Sequence, residues 1–270
     1  MENWVAPRLR CGLGNRLFQT AAVVQCAHRT QRKPLFLLPR MSHWDHGNFR
    51  TLLELCPNLP IKEKAYEWTE IEETAKQQVP SDLPNQSTEG IVLSGFFQNS
   101  QDWDLTLPAM PILPGPALPP RDAWAIHFRF GDYKILSHYQ VPYLADYYGK
   151  VLDLHVPKGS QLVLLSDESV KLLPIAKELE SRGYKVDICV EEDPIKLFEI
   201  WASCSKGSIA SNSTFAWWAA YFAYQRHSTK AWFPYVWMTN QPTPNIFNLP
   251  FTQTLKVEPW SSPLQSFLYK

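Results

Sequence analysis

Three short segments combine charged and hydroxyl side chains in a way that suits the binding of a phosphorylated ligand. They span residues 127–133, which include Arg129, residues 166–168, which include Asp167, and residues 211–214. The last is a hydroxyl-rich turn, and before a helix such a turn offers free N–H groups and a favourable dipole to a phosphate. The planar guanidinium of Arg129 adds a fork of donors to the same anion. Asp167 can accept hydrogen bonds from a base or ribose, so these segments predict a nucleotide site without a metal.

Each segment also has an ordinary structural explanation. Residues 211–214 are of the types that commonly cap a helix. Arg129 and Asp132 can pair with each other, and His127 can be a buried core histidine. The aromatic run at 215–222 is more typical of a helix buried in a core than of a sugar-stacking surface. The functional interpretation therefore depends on the three segments lying together.

The alternation of apolar segments indicates how they are brought together. We predict strands at 123–129, 161–166, 184–190, 207–211 and 230–233, and helices at 141–152, 169–182, 193–204 and 214–224. Such alternation is typical of a parallel sheet covered by helices. Ligands bind beyond the carboxyl ends of the strands in these sheets, and each polar segment follows or ends a predicted strand.

A proline-rich segment divides the chain. Six of the 23 prolines lie between residues 107 and 121, a density that favours an extended connector. The part before it shows the same alternation more weakly, with a predicted helix at 16–29 and strands at 34–38 and 91–94. We therefore expect an α/β protein with two domains, residues 1–118 and 119–270, that face a cleft.

Composition excludes several classes of protein. The 270 residues include 26 basic and 26 acidic side chains, so the formal net charge is zero, which is atypical of nucleic-acid binders. No apolar run reaches the roughly 18–20 residues of a membrane span, and the first ten residues lack the apolar stretch of a signal peptide. A scattered set of cysteines without a CxxC pair predicts buried, reduced thiols and a cytoplasmic protein. These cysteines are Cys11, Cys26, Cys56, Cys189 and Cys204.

Four segments resemble motifs of the α-1,2-fucosyltransferases, glycosyltransferase family 11, within the wider α-1,2/α-1,6/protein O-fucosyltransferase group. Residues 12–19 (GLGNRLFQ) are similar to the family's GLGNQLFQ, and residues 95–98 (GFFQ) to GYFQ or GYWQ. Residues 127–133 (HFRFGDY) are similar to HxRRGDY and are followed by the DYY of 146–148. Residues 211–220 (SNSTFAWWAA) nearly match SNSTFSWWAA. The motifs occur in the family's order and span most of the chain.

The resemblance implies a GT-B-like fold of two Rossmann-like domains, GDP-fucose as donor, a glycan acceptor, inversion at the anomeric carbon and no metal. It suggests the 2-hydroxyl of galactose as the acceptor group. By position, Arg129 is expected to hold the β-phosphate, and Asn15 to reach the donor sugar from the opposite domain. The donor-binding residues implied in this way are Asn15, Arg16, His127, Arg129, Asp167, Ser211, Ser213, Thr214 and Phe215.

Two positions depart from the family's pattern. Phe130 replaces the second arginine of HxRRGDY, which removes a positive charge. Arg16 replaces a glutamine, and it would restore some of that charge if it pointed into the cleft. Inversion also requires a general base for the acceptor hydroxyl. Asp132 is the first candidate and His138 the second, although Asp132 could instead orient Arg129.

The sequence also fits two other functions. Asp102 and Asp104 form a DxD pattern, which holds a divalent ion in metal-dependent glycosyltransferases, although so short a motif often occurs by chance. The cluster His43, Asp45 and His46 is a second possible metal site. The loss of charge at Phe130 also fits a relative that binds a nucleotide sugar or glycan without transferring it.

Overall fold

The computed structural model describes residues 3–37, 49–63, 68–80, 83, 90–100, 103–141, 144–240, 242–243 and 245–257. The chain divides into two compact units, Met1–Pro114 with Pro244–Asn248, and Gly115–Thr243 with Leu249–Lys270. The sequence prediction has a single division after residue 118 and does not include the return of Pro244–Asn248 to the first unit. No helix in the described ranges is both long enough and apolar enough to cross a membrane.

The first unit contains a parallel sheet against which a long helix packs. Its elements are β1 (Trp4–Pro7), α1 (Leu13–Thr30), β2 (Lys33–Pro34), β3 (Phe36–Leu37), α2 (Phe49–Leu55), β4 (Ile61–Lys62), β5 (Trp68–Glu72) and β6 (Gly90–Ser94). Within the described residues the sheet has the order β2-β1-β6-β5, and β3 pairs with β4 separately, all in parallel. All of β6 is buried, as expected for an apolar strand inside a parallel sheet.

The second unit contains a larger parallel sheet. Its elements are β7 (Ala123–Phe128), α3 (Leu144–His155), β8 (Gln161–Ser166), α4 (Leu172–Ser181), β9 (Lys185–Ile188), α5 (Pro194–Ser203), β10 (Gly207–Ile209), α6 (Thr214–His227), β11 (Ala231–Pro234) and β12 (Thr252–Leu255). The described strands have the order β12-β11-β10-β7-β8-β9 and are all parallel. If the six strands are numbered from β7 and the sheet is read from β9 to β12, this is the 3-2-1-4-5-6 order of the Rossmann fold. The prediction of an α/β fold is confirmed.

Several predicted boundaries are wrong by a few residues. The predicted strand at 34–38 is two short strands, β2 and β3, which belong to different sheets, and residue 38 lies outside the described ranges. The predicted helix at 169–182 begins with a 3-10 turn, Ser169–Lys171, before α4. Strand β12 was not predicted, since its sequence, TQTL, lacks the apolar run of a buried strand.

The start of α5 follows the sequence closely. The Oδ1 atom of Asp193 accepts hydrogen bonds from the N–H groups of Ile195 (3.0 Å) and Lys196 (2.9 Å), and Pro194 occupies the first helical position. This is the expected arrangement of a helix N-terminus, because proline has no N–H to leave unsatisfied.

Burial tests two further expectations. Trp217 and Trp218 are fully buried in α6, so the interpretation of this aromatic run as helix core is confirmed. Cys26, Cys56 and Cys204 are buried, and burial raises the pKa of Cys26 to about 11 and that of Cys204 to about 12. The expectation of buried thiols is wrong for Cys11, which is exposed because it lies in the loop before α1, and Cys189 is only partly buried.

Candidate functional site

The three polar segments emerge from neighbouring strands of the second sheet. Strands β10, β7 and β8 are adjacent and parallel, so the segments that follow them leave the same edge. The strand order reverses between β7 and β10, and in open α/β sheets ligands bind at such a switch point. The segments 127–133 and 211–214 lie on the two sides of it.

Arg129 is held between two carboxylates. Its Nη2 atom lies 2.8 Å from Asp132 Oδ1, and its Nη1 atom lies 2.9 Å from Asp167 Oδ2. Burial lowers the pKa of Arg129, but the two carboxylates outweigh this effect and raise the pKa above its ordinary value. The side chain is therefore a permanent cation in a fixed orientation, and a guanidinium has further N–H donors to offer to an anion.

The two carboxylates are held differently. Asp167 Oδ1 also accepts hydrogen bonds from the N–H of Phe130 (2.9 Å) and from Ser166 Oγ (3.3 Å). Asp132 lies in a 3-10 turn, Gly131–Lys134, and its side chain is 51% exposed, against 22% for Asp167. Asp167 is thus a fixed support, and Asp132 is the more easily displaced of the pair.

Gly131 leaves room for Asp167. A Cβ atom at this position would overlap Asp167 Oδ2, and it would also contact the side chain of Arg129. The close approach of the 3-10 turn to the carboxylate therefore requires glycine. The sequence motif marks this residue but gives no reason for it.

Phe130 does not face the site. Its ring is buried, lies parallel to that of Phe128 with 6.4 Å between centroids, and has the ammonium of Lys171 at 5.0 Å from its centroid. Phe130 belongs to the hydrophobic core of the second unit. The residue at the position of the family's second arginine is therefore a core side chain here, and Lys171 provides a positive charge next to it.

His127 is a buried neutral histidine. Its Nδ1 atom is 2.9 Å from Ser211 Oγ, and its ring lies near those of Trp201 (5.5 Å) and Phe215 (6.3 Å). Burial, and secondarily the charge of Arg129, lowers its pKa to about 3. At neutral pH this imidazole carries no charge, and it fixes the Ser211 hydroxyl at the end of β10.

The N-terminus of α6 presents unused donors. Ser213 is the N-cap residue in an extended conformation, but its side chain makes no capping hydrogen bond, and the first helical bond runs from Trp217 N to Ser213 O (3.0 Å). Within the described part of the chain, the N–H groups of Thr214, Phe215 and Ala216 have no acceptor. Free N–H groups at the positive end of a helix dipole are suited to bind a phosphate.

Asn212 anchors the turn before α6. Its Nδ2 atom donates to the main-chain carbonyl groups of Tyr139 (3.0 Å) and Trp237 (2.9 Å). Its main-chain carbonyl accepts a hydrogen bond from the hydroxyl of Tyr133 (2.7 Å). Its Oδ1 atom is buried and has no hydrogen-bond partner among the described residues. A buried acceptor left unpaired is unfavourable by about 1–3 kcal/mol. The two hydrogen bonds donated by Nδ2 therefore hold the amide in place despite this unfavourable term.

His138, the second candidate for the base, lies in a separate 3-10 turn, Ser137–Tyr139. Its ring packs near that of Tyr139, with 4.3 Å between centroids, and its carbonyl accepts from Thr239 N (2.9 Å). The side chain is partly exposed. Its role as a base stays a prediction.

In the first unit, two of the four sequence motifs contact each other. Asn15 Oδ1, at the start of α1, accepts from Gln98 Nε2 at 2.8 Å. Arg16 is buried and its Nε atom donates to the carbonyl of Cys11 (2.9 Å), so it supports the loop before α1. The contact joins residues 12–19 to residues 95–98.

Glu73 and Arg10 also shape this region, and sequence reasoning missed both. Glu73 Oε2 accepts from the N–H groups of Phe96 (2.8 Å) and Phe97 (2.7 Å), which holds Phe97 at a positive φ of 52°. The guanidinium of Arg10 lies 5.3 Å from the ring centroid of Phe96, and Gln19 binds the backbone of Arg10. Glu73 lies outside the motifs, so only the position of Arg10, just before GLGN, was a signal.

Asp104, the described residue of the two possible metal sites, caps a turn. Asp104 Oδ1 accepts from Thr106 N (2.9 Å) and Thr106 Oγ1 (2.6 Å), and these hydrogen bonds lower the pKa of Asp104. Asp102 and residues 43–46 lie outside the described residues. Among those described, no group of three or more histidine, cysteine, aspartate or glutamate side chains could hold a metal ion.

A cavity of about 500 Å³ lies elsewhere in the second unit, at the edge strand β9 and α5. Its lining includes Arg121, Asp187, Cys189 and Ile200. It shares no lining residue with the segments around Arg129, so it is not part of the predicted site.

Comparisons with known proteins find similarity among solved structures. No protein-family model and no curated protein matches the chain. The fucosyltransferase NodZ from Bradyrhizobium is similar at 12% identity and a TM-score of 0.45, over 82% of this chain and 92% of that one. NodZ α-1,6-fucosyltransferase soaked with GDP-fucose is similar at 15% identity and a TM-score of 0.47, over 82% of this chain and 92% of that one. The Escherichia coli heptosyltransferase WaaC with ADP is similar at 10% identity and a TM-score of 0.42, over 91% of this chain and 90% of that one.

Proposed function

We propose that this protein is an inverting glycosyltransferase that moves fucose from GDP-fucose to a glycan hydroxyl. The observation that carries the proposal is the pairing, at the switch point of the second sheet, of a permanently charged Arg129 with the unused N–H groups of α6. Both elements lie in segments that resemble fucosyltransferase motifs. The same resemblance is the basis for galactose, at its 2-hydroxyl, as the acceptor that we propose.

Transfer requires stabilisation of the leaving diphosphate. Breaking the bond between sugar and phosphate leaves negative charge on the β-phosphate of GDP and an oxocarbenium-like centre on the sugar. Arg129 and the N–H groups of Thr214 and Phe215 are preorganised donors for this charge, and one such donor contributes about 3 kcal/mol to the transition state. The phosphate takes the place of Asp132 on Arg129, while Asp167 keeps the guanidinium in orientation.

The displaced carboxylate suggests a base. Once Asp132 no longer pairs with Arg129, it is free to accept the proton of the acceptor hydroxyl. His138 is the second candidate. A pH–rate profile of Asp132→Asn distinguishes them, since loss of the acidic limb assigns the base to Asp132 and an unchanged profile assigns it elsewhere.

Substitution of Arg129 tests the proposal. We expect Arg129→Ala to lower kcat for GDP-fucose by about 100-fold, and Arg129→Lys to restore little, because lysine lacks the planar fork. Arg182→Ala is the matched control, since it removes an arginine whose Nη2 atom pairs with Asp153 Oδ1 at 2.5 Å outside the site. Retention of more than half the wild-type rate in Arg129→Ala would refute the assignment.

We also propose that transfer needs no metal ion, because Arg129 and the helix N-terminus supply the positive charge that a metal would otherwise provide. Full activity in EDTA is the expected result. Loss of activity in EDTA, restored by a divalent cation, would instead favour the metal-dependent alternative that includes Asp104.

A further inference from the structure

We propose that Tyr133 is a positioning residue that fixes the distance between Arg129 and the N-terminus of α6. Two anion-binding elements on different loops act together on one diphosphate only if their separation is held closely. The inference rests on the proposed function and concerns how its phosphate site is assembled.

The hydroxyl of Tyr133 ties one loop to the other. It donates to the carbonyl of Asn212 at 2.7 Å, and Asn212 directly precedes Ser213, the N-cap of α6. Tyr133 is only 8% exposed, and burial raises the pKa of its phenol. The phenol is therefore protonated at any physiological pH, and its hydroxyl is a buried donor to the turn before α6.

The ring of Tyr133 supports Arg129 at the same time. The guanidinium carbon of Arg129 lies 5.6 Å from the ring centroid, within the range of a cation–π contact. The ring of Tyr139 also stacks on that of Tyr133, nearly parallel to it, with 4.7 Å between the centroids and 9° between the planes. One side chain thus contacts the arginine through its face and the helix turn through its hydroxyl.

A return connection closes the arrangement. Asn212 Nδ2 donates to the carbonyl of Tyr139 at 3.0 Å, so Asn212 receives a hydrogen bond from Tyr133 and gives one to the residue stacked on it. The second hydrogen of the amide goes to Trp237 O at 2.9 Å. A shift of the turn relative to Arg129 therefore breaks several hydrogen bonds together, two of them buried.

Tyr147 provides a matched control. Its buried hydroxyl also donates to a backbone carbonyl, that of Ala210, at 3.0 Å, two residues before Asn212. The contacts described for Tyr147 include neither Arg129 nor residues 212–214. Loss of this hydroxyl removes a bond of the same kind without loosening the connection between the two anion-binding elements.

The test compares Tyr133→Phe with Tyr147→Phe by calorimetric titration of the full chain with GDP and with guanosine. We expect Tyr133→Phe to weaken GDP binding about tenfold and to leave guanosine binding unchanged, because only the phosphate site is loosened. Tyr147→Phe is expected to lower the melting temperature to a similar extent while leaving the ratio of the two affinities at its wild-type value. Tyr133→Leu, which also removes the ring beneath Arg129, is expected to lower the ratio further.

The possible failures are distinguishable. If the wild type binds GDP and the ratio for Tyr133→Phe equals that of the wild type, Tyr133 has only a structural role and the inference is wrong. If the wild type prefers UDP or ADP, the proposed donor is wrong, and the ratio for that diphosphate and its nucleoside decides the role of Tyr133. If the wild type binds none of the three, the proposed function fails and the inference fails with it.

Discussion

Substitution of Gly131 by alanine perturbs Arg129 without removing any of its partners. The added Cβ atom would lie 3.5 Å from Asp167 Cγ and 3.7 Å from Arg129 Cζ, which are ordinary contacts, but it would overlap Asp167 Oδ2. The backbone of Gly131 is not in the left-handed region, so alanine adds no torsional strain there. The overlapped atom is the end of a side chain, so we expect the overlap to be relieved by a movement of the carboxylate.

The size of the effect follows from that movement. To reach normal contact distance the oxygen must shift by about 1 Å, which is enough to disrupt its 2.9 Å hydrogen-bonded contact with Arg129 Nη1. Arg129 then keeps a close contact with Asp132 only and is held less firmly in its orientation. A misplacement of about 1 Å at a reacting centre lowers rates by up to about 100-fold. The partly exposed ion pair contributes only about 0–1 kcal/mol to stability, so the fold is expected to persist.

A double-mutant cycle assigns the effect to its cause. GDP affinity and GDP-fucose turnover are measured for Gly131→Ala, Asp167→Ala and the double variant, with thermal unfolding as a check on the fold. We expect Gly131→Ala to lower turnover at least tenfold in the wild type and to cost little more in Asp167→Ala, where the overlapped atom is absent. Turnover by Gly131→Ala within twofold of the wild type would refute the reasoning, as would fully additive losses.

Two further predictions concern the neighbours of Arg129. Phe130→Arg, which gives the two adjacent arginines of the fucosyltransferase motif that this segment resembles, is expected to destabilise the protein by about 3 kcal/mol in urea unfolding, because it buries a charge in the core beside Lys171. Phe130→Leu is the control, and equal stability of the two variants would contradict this placement. His127 has a folded pKa of about 3 against 6.5 unfolded, so the unfolded chain binds the extra proton between these values and stability falls as the pH drops. Between pH 6.5 and 5 the free energy of unfolding of the wild type is expected to fall by about 1.5 kcal/mol more than that of His127→Asn. An equal fall in both proteins would contradict the lowered pKa of His127.

The sequence predicts the second unit well because its signals are local. Apolar runs such as 161–166 coincide with strands, and Asp193 with Pro194 marks a helix start correctly. Since parallel strands end at one edge, the neighbourhood of Arg129 and Asp167 follows from the order of the elements alone. The contact between Arg129 and Asp132 also needs only their spacing of three residues.

Other features depend on long-range packing, which local patterns do not encode. The side chain of Phe130 turns into the core because Phe128 and Lys171 contact it there, whereas the motif suggests a position facing the ligand. Glu73 binds the turn at 95–98 from a distance of more than 20 residues along the chain. The hydrogen bond from Tyr133 to Asn212 spans 79 residues. None of these pairings has a periodicity or a spacing that a single sequence reveals.

The most direct test of the proposed activity is GDP release from GDP-fucose by the wild-type protein, with and without a galactoside acceptor, in the presence of EDTA. We predict release that depends on the acceptor and yields a fucosylated product. Binding of GDP-fucose with no acceptor-dependent release, over a panel of glycans that includes galactosides, would contradict the account and favour a protein that binds the nucleotide sugar without transferring it.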